Sequence, residues 1–257
     1  MSLRIAFDLD GVLADMEGEL VRQAELLFGE RITRRLQEHA AEEEATTAPP
    51  HAGPDGAKDA AAEPEPPIEL DTVPPIVKLQ LTAREQRRLW RHVETIENFW
   101  ETLAEIEPGA VARLAAAATE RRWEVLFLTK RPASAGATAQ TQTQRWLEAN
   151  GFARPSVYVV QGSRGRIAAA LALDFVVDDR PENCLDIVVD SKARAVLVWR
   201  EGEKQLPIAA RRLGIGVVKS VEECLDILTQ LDGPDRDEPG VLARVKKLLG
   251  LGESASV

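Results

Sequence analysis

The chain has 257 residues, of which 44% are hydrophobic and 5% aromatic, and it carries a formal net charge of −10. That length and apolar content suffice for one large domain, or for a core with a smaller attachment, packed on Leu, Val, Ile and Ala. The acidic balance excludes a general binder of nucleic-acid polymers, because phosphate backbones demand clustered Lys and Arg.

Leu3–Asp8 (LRIAFD) is a short apolar run suited to a buried parallel strand. Helical spacing follows over Glu17–Gln37. From Glu38 to Pro75 the composition changes, with eight of the chain's 15 prolines set among Glu, Ala, Gly and Asp. Such a segment buries too little surface to offset the entropy of ordering, and residues 38–75 read as a disordered acidic loop. Helix resumes at Thr82, where Thr-Ala-Arg-Glu places a capping box, with Thr82 as N-cap and Glu85 reaching back. Leu89, Val93, Ile96, Trp100 and Leu103 continue it at steps of four and three, forming one apolar face.

Four further apolar runs (Glu124–Leu128, Val157–Val160, Phe175–Val177 and Ala195–Trp199), and a weaker one at Ile215–Val218, complete the strands. Helical patterns alternate with them at Pro108–Arg121, Ala137–Asn150, Arg166–Leu173 and Val221–Leu231. This alternation predicts right-handed crossovers and an α/β, Rossmann-like doubly wound parallel sheet. About 115 residues separate the first two strands, far more than a crossover needs. Residues 16–105 are therefore set apart as an insertion into a core made of 1–15 and 106–231. The remainder, 232–257, reads as a linker followed by an amphipathic helix that docks on its own domain or on a partner subunit, so a homo-oligomer is compatible with it. Cys184 and Cys224 lack CxxC spacing and a neighbouring His, which suits free thiols better than a zinc site. No apolar run approaches the roughly 20 residues that span a bilayer, and a cytoplasmic protein without membrane contact is expected.

Polar chemistry gathers at the strand ends. Asp8 and Asp10 directly follow the first strand, at the carboxyl edge where open α/β sheets bind ligands. Two like charges placed there destabilise the fold unless a cation or a shared proton compensates them. Capping of the next helix is the competing explanation, since Asp is a common N-cap. The second strand ends in Thr129-Lys130-Arg131, a hydroxyl and two cations suited to a phosphate. The third leads into Gln161-Gly162-Ser163-Arg164-Gly165-Arg166, a small-residue turn with positive charge. The fourth ends in Asp178-Asp179, oxygen donors of the kind that hold Mg²⁺. Capping alone does not require acids, a hydroxyl and cations to converge on one edge from four strands.

With DLDGV at 8–12, Thr129, and Asp178-Asp179 in this order, the chain resembles the haloacid dehalogenase-like (HAD) hydrolase superfamily. The resemblance implies a HAD core with a helical cap inserted between the first and second motifs. It also implies a Mg²⁺-dependent phosphatase that acts on a small phosphorylated metabolite through an aspartyl-phosphate intermediate. In that scheme Asp8 is the nucleophile and Asp10 the general acid/base. Thr129 holds phosphoryl oxygens, with Lys130 and Arg131 beside it in substrate binding. Mg²⁺ is bound by Asp8, the main-chain carbonyl of Asp10 and Asp178, with Asp179 in support. The family's third motif is usually Lys; its counterpart here is Arg164, with Arg166 as the rival. Asn98–Leu103 and Pro108-Gly109-Ala110 resemble the cap-exit segment of the 5′(3′)-deoxyribonucleotidase-like branch, which makes a nucleoside monophosphate the first substrate to consider. There Phe99 and Trp100 either stack a base or belong to the core. Two other functions compete. A phospho-accepting signalling receiver places its acidic pair before the accepting Asp, against the order seen here. A catalytically silent scaffold acting through the acidic insertion leaves the retention of Asp8 and Asp10 unexplained.

Overall fold

The computed structural model describes residues 2–29, 81–201 and 205–232. The acidic loop at 38–75 and the C-terminal helix beyond 232 lie outside the described residues. The strands are β1 (Arg4–Asp8), β2 (Glu124–Thr129), β3 (Ser156–Val159), β4 (Phe175–Asp178), β5 (Arg194–Val198) and β6 (Gly216–Val218). They form one parallel sheet in the order β3-β2-β1-β4-β5-β6, the doubly wound arrangement expected from the alternation of strands and helices. The order reverses at β1, with β2 on one side and β4 on the other. In such sheets the crevice at that reversal is the ligand site.

Successive strand residues face opposite sides, so β1 feeds two cores. Ile5 and Phe7 point to the side covered by α3 (Ala110–Arg121), α4 (Ala139–Ala149) and α8 (Val221–Leu231), where Leu114, Trp146 and Leu225 are buried. Ala6 points to the side covered by α5 (Arg164–Ala170), α6 (Pro181–Asp190) and α7 (Ile208–Arg212), with Ala168, Ile187 and Ala210. Burying Phe7 and Phe127 completely stabilises by about 1.5–3 kcal/mol each, and anchors β1 beneath Asp8 at its end.

Within the insertion, α1 (Met16–Phe28) stops sooner than the spacing over Glu17–Gln37 suggests. Gly29 caps it at φ 67°, a conformation costly for other residues; residues 30–37 lie outside the described residues. Helix α2 (Ala83–Thr95) begins with the expected capping box, Thr82 and Glu85 bonding reciprocally. It does not continue to Leu103. Ile96 turns extended, Asn98 adopts a left-handed conformation, and Phe99–Glu101 form a short 3-10 turn. The buried Gln23 amide oxygen of α1 meets His92 Nε2 of α2 at 3.0 Å. The chain leaves and re-enters the core side by side, with Asp15 N–H donating to Ala104 O and Ile106 N–H to Leu13 O.

Helix α6 is absent from the sequence reading. Two of its apolar side chains are enclosed, Cys184 and Ile187, while Leu185 and Val189 are exposed, so the helical period is blurred. Helix α5 starts at Arg164, two residues before the predicted boundary, because Ser163 caps it by accepting from Arg166 N–H.

Candidate active site

Strand β1 delivers Asp8 to the crevice and then turns sharply. The amides of Val12, Leu13 and Ala14 all donate to Leu9 O, and Gly11 sits at φ 86°. Its missing side chain has a purpose, since a Cβ there would lie 2.0 Å from Asp179 Oδ2. The turn is clamped from just beyond β5 by Arg200, which donates to Gly11 O at 2.6 Å and to Val12 O at 3.1 Å. The same guanidinium pairs with Glu107 at 2.6 Å. Glu107 in turn accepts from Val221 and Glu222 N–H at the start of α8.

Asp8, Asp178 and Asp179 come together, with carboxylate oxygens within 4.8 Å of one another. Asp8 is 7% exposed and Asp178 fully buried. Burial pushes the Asp8 carboxyl well above the usual carboxylate range, against the opposing pull of Arg164. Burial also raises Asp178, opposed by Arg164, by the Arg180 N–H at 2.9 Å and by the Asn183 side-chain amide, 3.0 Å from both oxygens. Asp179 is pushed up to about 7 by burial and by its neighbour Asp178, and its Oδ1 is buried with no hydrogen-bond partner. Three crowded acids with an orphaned oxygen fit a hard dication, which supplies the charge that the protein leaves uncompensated.

Of the two arginines after β3, Arg164 is the one that lies against the acids. Its Nη2 donates to Asp8 Oδ1 at 2.5 Å and its Nε lies 3.9 Å from Asp178 Oδ2, with the side chain 7% exposed. Arg166 points away, 84% exposed and 3.8 Å from Asp190.

Thr129, Lys130 and Arg131, read from the sequence as substrate-binding, close β2 and follow it, and Lys130 and Arg131 line the cleft. Thr129 is fully buried, and its hydroxyl donates to Asp10 Oδ2 at 3.0 Å. Arg131 is 2% exposed and grips Asp10 through Nε, 3.0 Å from both oxygens, and through Nη2, 2.7 Å from Oδ1. Phe99 and Trp100 are wholly enclosed, edge to face at 4.9 Å, and are not among the residues lining the cleft over Asp8. They belong to the core.

A cleft of about 210 Å³ opens over these groups, its far wall formed by Met16, Glu17 and Leu20 of α1. Asn183 and Arg200 went unread in the sequence. Asn183 had a signal, an amide one helical turn after a strand-end acid; Arg200 had only its position after β5.

No protein-family model matches the chain, and no curated protein does. Similar solved structures include a hydrolase from Pseudomonas syringae, with 18% identity, TM-score 0.45, and coverage of 90% of this chain and 98% of that one. An L-2-haloacid dehalogenase is similar at 12% identity and TM-score 0.43, covering 89% of this chain and all (100%) of its own. A haloacid dehalogenase-like family hydrolase from Xanthomonas campestris is similar at 11% identity and TM-score 0.44, covering 92% and 99%.

Proposed function

We propose that the chain is a Mg²⁺-dependent phosphohydrolase of the HAD type that acts on a small phosphate monoester, with nucleoside monophosphates first among the substrates to test. The observation that carries this reading is the convergence of Asp8, Asp178 and the unpartnered Asp179 oxygen beside Asp10, at the reversal of strand order. Asp8, Asp178 and Asp179, with the Asp10 carbonyl, would hold the dication, which when bound neutralises charge on the nucleophile and the phosphoryl group.

In the first half-reaction an Asp8 oxygen attacks phosphorus and the ester P–O bond breaks. Asp10, as the carboxylic acid, gives its proton to the leaving oxygen. In the second, water attacks phosphorus while Asp10, now a carboxylate, takes its proton. The bond between Asp8 and phosphorus breaks and inorganic phosphate leaves. Arg164 holds Asp8 and partly offsets its charge. Lys130, on the cleft wall, faces the anionic substrate.

A binding protein working through its acidic insertion is the second reading, favoured by the Arg164 contact that occupies one Asp8 oxygen. A panel of phosphorylated metabolites assayed with Mg²⁺ separates the two. Phosphate release that vanishes in Asp8→Asn supports the hydrolase; an inert panel supports the binding protein.

A further inference from the structure

We infer that Arg131 is a positioning residue for Asp10 and makes no contact with substrate. The inference rests on the reading of Asp10 as the acid/base. Three observations support it. The contact is a fork, both Asp10 oxygens being engaged by one planar guanidinium at 2.7–3.0 Å, which fixes the plane of the carboxylate as well as its place. The guanidinium is itself immobilised: Nη1 donates to the buried Thr143 hydroxyl at 2.9 Å, and the group lies 5.0 Å from the centre of the Trp100 ring. Finally, both residues line the cleft, but the Arg131 side chain has 0% exposure whereas Asp10 keeps 12%, so the carboxylate is the more accessible member of the pair.

Trp100 is held in turn by its indole N–H on Pro132 O and its backbone N–H on the Gln142 side chain, each at 3.0 Å. The chain of contacts runs from the 3-10 turn and α4 through Arg131 to Asp10. A proton-transfer group held this way loses rate, rather than substrate affinity, when its support is removed.

The test measures kcat and KM on the best substrate of the panel for Arg131→Lys, Arg131→Met and Thr143→Val, each checked for folding by thermal melting. Lys keeps the charge but not the fork, and kcat is expected to fall about tenfold. Met is expected to lower kcat by about 10²–10³-fold, the scale of one preorganised electrostatic group. KM should stay within about twofold throughout. In an Asp10→Asn background, Arg131→Lys should cost nothing further, because it acts only through the carboxylate. Should Arg131→Met fail to fold, the split is read from Arg131→Lys and Thr143→Val. A raised KM with kcat retained would overturn the inference and return Arg131 to substrate binding. So would losses that multiply with that of Asp10→Asn, or three folded variants with wild-type kcat. Turnover that survives in Asp8→Asn strikes instead at the proposed function, and is told apart by that control.

Discussion

At the scale of single residues, the site spends its cations on its own acids. Arg164 bridges Asp8 and Asp178, Arg131 holds Asp10, and Arg200 holds the carbonyls of the turn between them. Removing one partner of such a buried pair leaves the other charge uncompensated, and costs more than the pair is worth. Arg164→Ala is therefore expected to lower kcat by about 10²–10³-fold, whereas Arg164→Lys retains substantial turnover, because the charge beside Asp8 survives. Arg166→Ala should leave turnover near wild type, since that side chain is exposed against Asp190. Steady-state kinetics on the three folded variants check this; a collapse in Arg166→Ala with Arg164→Ala unaffected would refute the assignment. Asp8, Asp10, Asp178 and Asp179 were legible because acids at the ends of apolar strands have a short-range signature. The partner of Arg131 was not, because Asp10 lies 121 residues away and only the pairing of β1 with β2 joins them.

At the scale of elements, the turn after β1 shows how a catalytic loop is shaped by what it cannot carry. Gly11 at φ 86° and Gly109, before α3, at φ 84° share nearly the same positive φ, but of the two only Gly11 faces a side chain. Alanine at either position meets a left-handed penalty of about 1–2 kcal/mol. At Gly11 the new methyl also displaces Asp179, so Gly11→Ala should be the more destabilising by thermal melting, and the excess should shrink in an Asp179→Ala background. Equal melting losses at the two glycines would show that the close approach to Asp179 carries no energy. The same local conformations explain where periodicity misled. Steps of four and three continue past Thr95 to Trp100 and Leu103, yet the extended Ile96 ends the helix, and Trp100 reaches the core from the 3-10 turn that follows the left-handed Asn98, Leu103 from the chain beyond it. Strands were legible from their apolar runs. Helix α6 was not, because half-exposed apolar residues hide its face.

Across the whole molecule, the acids that make the site also work against the fold that holds them. Asp8, Asp178 and Asp179 are all raised above their ordinary values, each chiefly by burial. A carboxyl raised on folding binds more protons in the native state than in the unfolded chain, so stability falls with rising pH between the two values. Moving Asp179 from its ordinary 3.8 to about 7 corresponds to at most about 4 kcal/mol, lost as pH rises through that interval. A dication bound only by the native state acts in the opposite direction, by RT ln(1 + [Mg²⁺]/Kd). It needs the carboxylates ionised, so its contribution grows where theirs fails. Melting temperatures measured from pH 5 to pH 8 with a chelator should therefore decline, and those with Mg²⁺ should decline less or rise. The gap between the two curves should widen with pH. In Asp178→Asn one ligand is lost and the crowding of charge is relieved, so the chelator curve should flatten and the gap should narrow across the range. Coincident curves in the wild type would show that Mg²⁺ does not bind at these acids. A gap of unchanged size in Asp178→Asn would place the ion elsewhere on the protein.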